Sequence, residues 1–281
     1  MATSTVLITG CSSGIGRSLC WEFHHRGYAV IATARQLASL AELRAAGMQT
    51  QQLDVTQTDA IQSLAATLKR EQVAIDILVN NAGYGLFGPL MDLTPDEISH
   101  QLATNVVAPV AMVQAIAPLM KSQGSGLILN IASVSSIFVT PFAGAYCGSK
   151  AALRMMSDAL RMELAPFGIR VVTVHPGAIA SGFGHNAKLP QSTLAAQNSW
   201  YVAIADKVQM RATLSQQNAT PTQGFARELV KAVDRSILPP ELWLGNKSSQ
   251  LPWLKRWLPT PILDRLLKQR FGLVQLKSES T

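Results

Sequence analysis

The chain has 281 residues, of which 48% are hydrophobic and only 15% charged. That balance excludes a disordered polymer, and the length allows one sizeable core. The net charge of +7 gathers at one end, because seven basic residues and a single acid, Asp264, stand between 247 and 277. The remainder is close to neutral, so the charge describes a basic tail on an otherwise balanced protein. Three cysteines, Cys11, Cys20 and Cys147, with no C-x-x-C pair, argue against a disulfide framework and structural zinc and read as semi-buried thiols. No apolar run reaches the roughly 18 residues of a membrane span. No signal segment precedes the first strand, so the expectation is a cytoplasmic chain.

Short β-rich runs at 5–9, 28–33, 49–53, 75–80, 127–132 and 170–174 alternate with helical stretches near 15–26, 37–46, 57–71, 95–121 and 147–165. Nearly all-apolar strands joined by helices predict an α/β fold with one doubly wound parallel sheet, covered on both faces. Thr94-Pro95-Asp96-Glu97 reads as a helix start, with a Thr cap, Pro in the first turn and acids at the positive end of the dipole. Pro109 and Pro118 predict a kink or break in the long stretch that follows. Residues 178–221 fit no periodic pattern and read as a lid or binding segment, with a helix resuming near 222–236. Residues 1–245 thus form the main domain, and 246–281 a basic amphipathic C-terminal helical extension.

Gly10, Gly14 and Gly16 stand between a strand and a helix, with Ser12, Ser13 and Ile15 in the same turn. Glycines there let backbone amides approach a pyrophosphate at a helix N-terminus. At the end of the second strand a dinucleotide site selective for NAD carries an acid, whereas this chain reads Ala32-Thr33-Ala34-Arg35. Arg35 would attract a 2′-phosphate, and Ser12 or Ser13 would add a hydroxyl, so the expected cofactor is NADP(H). Tyr146 and Lys150 are four residues apart and share a helix face, where a nearby ammonium favours phenolate and is expected to lower the Tyr pKa. Cys147 points about 100° away from that face. Ser133 follows an apolar run thirteen residues upstream of Tyr146 and would polarise a carbonyl oxygen, with Ser135 and Ser136 as competing hydroxyls.

The Thr-Gly-x-x-x-Gly-x-Gly turn, Asn80-Asn81-Ala82-Gly83, Asn105, Ser133, Tyr146-x-x-x-Lys150 and Pro176-Gly177 resemble the short-chain dehydrogenase/reductase family in order and spacing over about 4–182. The resemblance implies a Rossmann-type fold and assembly as a homodimer or homotetramer. It implies that Tyr146 is the general acid/base, that Lys150 also holds the nicotinamide ribose, and that Asn105 holds a water relaying protons to Lys150. It further implies that Asp54 and Val55 contact the adenine, that Asn81, Ala82 and Gly83 line the cofactor, and that Pro176 and Gly177 pack by the nicotinamide with Ile179 behind. Ser181 stands where the family usually has Thr and keeps the hydroxyl. His175 reads as structural, with no carboxylate or metal ligand to pair with it. Ser133 lies outside any Gly-x-Ser-x-Gly elbow and no triad order is present, which argues against a hydrolase. A cofactor-gated sensor or binding module is the other alternative, and the presence of all four catalytic residue types favours an enzyme.

Ile137, Phe138, Val139, Phe142, Leu189, Trp200, Tyr201 and Met210 are candidate pocket residues, and their apolar character predicts a hydrophobic ketone, aldehyde or alcohol. Residues 81–90 look most like the steroid- and retinoid-handling branch of the family. In the C-terminal extension, Trp253 and Trp257 bracket Lys255 and Arg256, and a Thr-capped helix from 260 to 272 carries a broad apolar face. Trp with basic residues beside such a face reads either as peripheral membrane contact through 250–273 or as docking on the protein's own domain or a partner subunit. The basic residues interleave with aliphatics and no nucleic-acid reading module is evident.

Overall fold

The computed structural model describes residues 3–181, 199–235 and 237–276. Seven parallel strands form one sheet: β1 (Thr5–Ile8), β2 (Ala29–Ala34), β3 (Gln49–Gln52), β4 (Ile77–Asn80), β5 (Gly126–Ile131), β6 (Ile169–Pro176) and β9 (Glu241–Leu244), in the order β3-β2-β1-β4-β5-β6-β9. A separate two-residue pair joins β7 (Ile179–Ala180) to β8 (Thr220–Pro221). Because side chains alternate along a strand, each strand feeds both faces of the sheet. Val6 and Ile8 join one apolar cluster while Leu7 joins the other, and Val30 and Ile31 divide in the same way. The first face is covered by α1 (Gly14–His25) and α8 (Thr222–Val233) through Leu19, Phe23, Phe225 and Leu229. The second is covered by α3 (Thr58–Arg70) and α5 (Ala108–Gln123) through Ile61, Leu64, Met112 and Ile116, with Leu160 and Leu164 of α6 (Gly144–Leu164) packed at its margin. The doubly wound Rossmann-type sheet expected from the sequence is therefore present, with a short helix α2 (Ala41–Ala45) between β2 and β3.

Four differences from the expected elements have physical causes. The strand β9 follows Pro239-Pro240 and is four residues long with mixed burial, too brief for any periodic signal. A helix, α7 (Ala205–Thr213), occupies part of the segment read as patternless; its buried face holds Arg211 between Val208 and Ala212, which breaks the apolar pattern. The break expected at Pro109 or Pro118 falls just upstream: α4 (Pro95–Leu102) passes through a π turn at Ala103–Val107 into α5. Pro109 cannot donate to the carbonyl of Asn105, so regular helical bonding is already lost there, whereas Pro118 is carried inside α5 by packing on the sheet. Finally, the composite helix Pro95–Gln123 does contain a window apolar enough to cross a membrane by length and composition, with a mean hydropathy of 1.6. Met112, Val113, Ile116 and Met120 turn its apolar side onto the sheet.

The Thr94 cap is present as a full capping box: the Thr94 hydroxyl accepts from the Glu97 N–H, and the Glu97 carboxylate accepts from the Thr94 N–H at 2.9 Å. The C-terminal extension forms α9 (Gln250–Trp257) and α10 (Thr260–Arg270). Phe271, fully buried at the end of α10, packs with Phe142, Ile204 and Val208, so this extension docks on its own domain. All the sheet strands are parallel, so their carboxyl ends finish on one edge. The strand order reverses between β1 and β4, and ligand crevices form at such a switch point.

Candidate active site

At that switch point β1 runs through Thr9 and Gly10 into α1. The Thr9 hydroxyl accepts from the N–H groups of Asn81 and Ala82, both at 3.0 Å. The Asn81 amide donates back to the carbonyls of Thr9 and Gly10 at 2.9 and 3.1 Å. These bonds pull the end of β4 against the turn so closely that a Cβ on Gly16 would collide with the Gly10 carbonyl and the Asn81 amide. Gly10 adopts φ +72°, and a Cβ there would lie 2.8 Å from the Ala82 Cα. The first turn of α1 has no side-chain cap and no acid, so its amide groups and positive dipole end are available to an anion.

Arg35 follows β2, and Gln52 donates to its carbonyl at 3.1 Å. Asp54 accepts from the Thr56 N–H and hydroxyl at 3.0 and 2.8 Å. Burial raises the Asp54 pKa, but these donors and the Arg35 charge outweigh it, and the carboxyl is held below its ordinary value. Neither Asp54 nor Thr56 caps α3, whose N-cap is Gln57. Gly10, Ser12, Ser13, Gly14, Ile15, Arg35, Asp54, Val55, Asn81, Ala82, Gly83, Ser133, Tyr146, Lys150, Pro176, Gly177, Ile179 and Ser181 all line one cavity of about 760 Å³. Gly16 and Asn105 are not among the described residues that line it.

Ser133 leaves the end of β5 in extended backbone and its hydroxyl accepts from the Ser135 N–H at 3.1 Å. Of the competing hydroxyls, Ser136 donates to the Ser133 carbonyl and lies 3.1 Å from His175 Nδ1, while Ser135 also lines the cavity. Tyr146 is bonded to the Ser133 side chain, which pulls its pKa down, but burial dominates and pushes it up to about 12. This corrects the expected fall: desolvation of the phenolate outweighs the Ser133 hydrogen bond and the Arg211 charge that pull the other way, and Lys150 is not among the groups that shift it. Lys150, also buried, donates to the Ile131 carbonyl at 2.7 Å, and burial lowers its pKa to about 8. Asn105 sits in the π turn. Its amide N–H groups go to the Tyr84 carbonyl at 2.9 Å and the Ser149 hydroxyl at 3.0 Å, and its oxygen accepts from the Tyr84 N–H. The side chain clamps the loop after β4 to α6.

Several functional features escape sequence reasoning. Arg211, from α7, lines the cavity with its guanidinium carbon 4.8 Å from the Phe87 ring, and Phe87 packs on Tyr146 with centroids 5.5 Å apart. His175 does meet a carboxylate, contrary to expectation: Nε2 lies 3.4 Å from Glu241 of β9. That approach lacks hydrogen-bond geometry, and Glu241 is held primarily by Arg154 at 2.6 Å. Burial lowers the His175 pKa, and the ring stacks on Trp243 at 3.9 Å, so its role is structural. The cysteines are fully buried thiols, and burial pushes Cys147 up.

Of the expected pocket residues, Phe138 lines the cavity. Phe142, Tyr201 and Met210 pack behind it in the cluster around Phe271, with Phe142 at the strained φ +63°. Ile137 gives its carbonyl to Lys255, Val139 and Trp200 are exposed, and Leu189 lies outside the described residues. Instead, Leu251 and Leu254 of α9 and Leu263, Leu267 and Phe271 from α10 and its end form an apolar wall.

The residues present fit a dinucleotide: a cradle that a Cβ would fill, a helix terminus without an acid, and a continuous cavity from Arg35 to Tyr146. The buried Lys150 gives a test of the electrostatics. Its charged form is penalised in the folded chain below a pKa of about 8, and the penalty fades as pH rises toward the ordinary value of 10.5. Relative to Lys150→Met, the parent chain should therefore gain about 3 kcal/mol in unfolding free energy between pH 7 and pH 10.5. Urea unfolding across that range measures it, and a constant difference between the two proteins would refute burial of a charged lysine.

Comparison with known proteins agrees with this geometry. Residues 4–191 match the short chain dehydrogenase family. A short-chain dehydrogenase/reductase of Pestalotiopsis microspora is 33% identical over 276 residues, covering 97% of this chain and 95% of that one. Human 17-beta-hydroxysteroid dehydrogenase type 1 is 38% identical over 193 residues, covering 65% of this chain and 59% of that one. The crystal structure of a short-chain dehydrogenase from Streptomyces avermitilis superposes with a TM-score of 0.79 at 30% identity, covering 98% of both chains. A parallel sheet with a glycine turn at its switch point, a cavity that holds a hydroxyl, a phenol and an ammonium together, and this likeness over nearly the whole length lead to one conclusion: the chain belongs to the short-chain dehydrogenase/reductase family, NAD(P)-dependent oxidoreductases.

Proposed function

We propose that the chain is an NADP(H)-dependent carbonyl reductase, or the reverse alcohol dehydrogenase, acting on a hydrophobic substrate. The observation that carries this reading is the single cavity running from Arg35 to Ser133, Tyr146 and Lys150. When bound, the nicotinamide supplies or accepts the hydride. Ser133 polarises the carbonyl oxygen, and Tyr146, bonded to Ser133, delivers the proton. A phenol with a pKa of about 12 remains protonated at neutral pH, which is the form that reduction needs. Lys150 sits at the end of β5, tied to the Ile131 carbonyl, where its charge would hold the ribose. Asn105 acts by fixing the loop at Tyr84 against α6.

Arg35 supports the preference for NADP(H), because it lines the cavity directly after β2, the end of β2 carries no acid, and a guanidinium would attract a 2′-phosphate. The leucine wall from α9 and α10 supports an apolar substrate, and Phe87, in the stretch that looks steroid- or retinoid-handling, adds a ring beside Tyr146. Trp253 and Trp257 are 63% and 65% exposed beside Lys255 and Arg256, which supports contact with a membrane surface from which such a substrate would be drawn.

Tyr146→Phe should retain NADPH binding and lose at least about a hundredfold in turnover of an apolar ketone; full turnover would remove Tyr146 from the chemistry. Arg35→Asp should weaken NADPH about ten- to hundredfold while leaving NADH equal or better, as read from cofactor KM values. Unchanged selectivity would refute the role of Arg35. The Trp253→Ala/Trp257→Ala protein should lose co-sedimentation with anionic phospholipid vesicles while still reducing a water-soluble carbonyl. Equal sedimentation of parent and variant would rule out the tryptophans as the contact.

A further inference from the structure

A cleft built only for neutral apolar substrates has no use for a buried cation, yet Arg211 is one. It projects from the inner face of α7 and is 7% exposed. Its Nε donates to the Thr140 hydroxyl at 2.6 Å, and its guanidinium carbon lies 4.8 Å from the Phe87 centroid. A guanidinium has five N–H donors, and among the described residues the other four have no acceptor. No carboxylate pairs with it among those residues either. The chain from 164 to 205, which leads into α7, contains no Asp or Glu. Among the described residues lining the cavity the one acid, Asp54, is taken by Thr56 and lies under the influence of Arg35. One neutral hydrogen bond and one aromatic face do not replace the hydration of a guanidinium, so the site retains an unmet demand for negative charge.

The position of that demand is informative. Phe87 touches both Arg211 and Tyr146, so the guanidinium and the phenol flank the same ring inside the same cavity. We infer that Arg211 is the anion-binding residue of the substrate site, and that the substrate is an amphipathic oxo compound bearing a carboxylate or a phosphate. The free N–H groups of Arg211 take the anion in a bidentate grip, and the reacting carbonyl lies at Tyr146. The apolar part runs along Leu263, Leu267 and Phe271. The placement of the carbonyl rests on the reductase reading above, whereas the anion site itself does not.

The full chain saturated with NADPH would be titrated by calorimetry with decanoate, decyl phosphate and decanol. Either anion should bind about tenfold or more tighter than the alcohol, and the tighter of the two identifies the headgroup chemistry. Arg211→Gln should bring both anions to the level of decanol, while Arg211→Lys keeps part of the preference; thermal melts verify that each variant is folded. Equal binding of all three ligands by the parent protein would overturn the inference, as would a Gln variant that keeps the preference. An Arg211→Gln protein that loses turnover of neutral ketones, with a shifted pH profile and unchanged anion binding, would assign Arg211 to tuning Tyr146 and also overturn it. If the anion preference holds while no carbonyl is turned over, the reductase reading fails and the anion site stands.

Discussion

The close approach of β4 to the turn after β1 is the constraint on which the rest of the site depends. The Thr9 hydroxyl and the Asn81 amide cross-link the two strand ends, and the missing side chains of Gly10 and Gly16 let the backbones meet. That contact aims the open amides of α1 into the crevice. It also sets the depth at which Asn81, Ala82 and Gly83 face the cavity. A second polar ladder fixes the other side: the Asn80 amide donates to Asn130 at 2.9 Å, and Asn130 donates to Ser157 of α6 at 2.8 Å. Buried amides linked in this way specify one register between strand and helix, although the Asn80 side-chain oxygen itself has no partner among the described residues, so Tyr146 and Lys150 stand at a defined height above the sheet.

The chemistry of the site follows from dehydration more than from pairing. Tyr146 and Lys150 are both shifted toward their neutral forms by burial, in opposite directions on the pKa scale. Arg211 is likewise lowered by burial, and its charge acts on Tyr146. A small change in water access would therefore move all of these groups together, because they share one enclosure behind Phe87.

Much of this was legible in the sequence. The glycine turn, the Thr94 capping box and the alternation of strands and helices depend on local patterns that short windows capture. The strand β9 did not show, since its four residues gain their meaning from pairing with β6, some sixty-five residues away. Nor did α7, because a helix whose buried face carries Arg211 has no clean apolar stripe. The direction of the Tyr146 shift was misread for a related reason: spacing reveals which groups are neighbours but not how much water surrounds them. The carboxylate at His175 was hidden because Glu241 belongs to the strand that went unseen.

The leucine wall comes from residues 251–271, whereas the family match ends at residue 191. The glycine turn and the phenol thus stand on one stretch of the chain and the leucine wall on another. Substitutions along α9 and α10 can remodel what the cavity accepts without disturbing the glycine turn or the phenol, since the two stretches meet across the cavity, at the cluster around Phe271 and where Lys255 donates to the Ile137 carbonyl. A scaffold divided in this way can diversify its substrates by drift near its C-terminus, while the hydride-transfer half stays under separate selection.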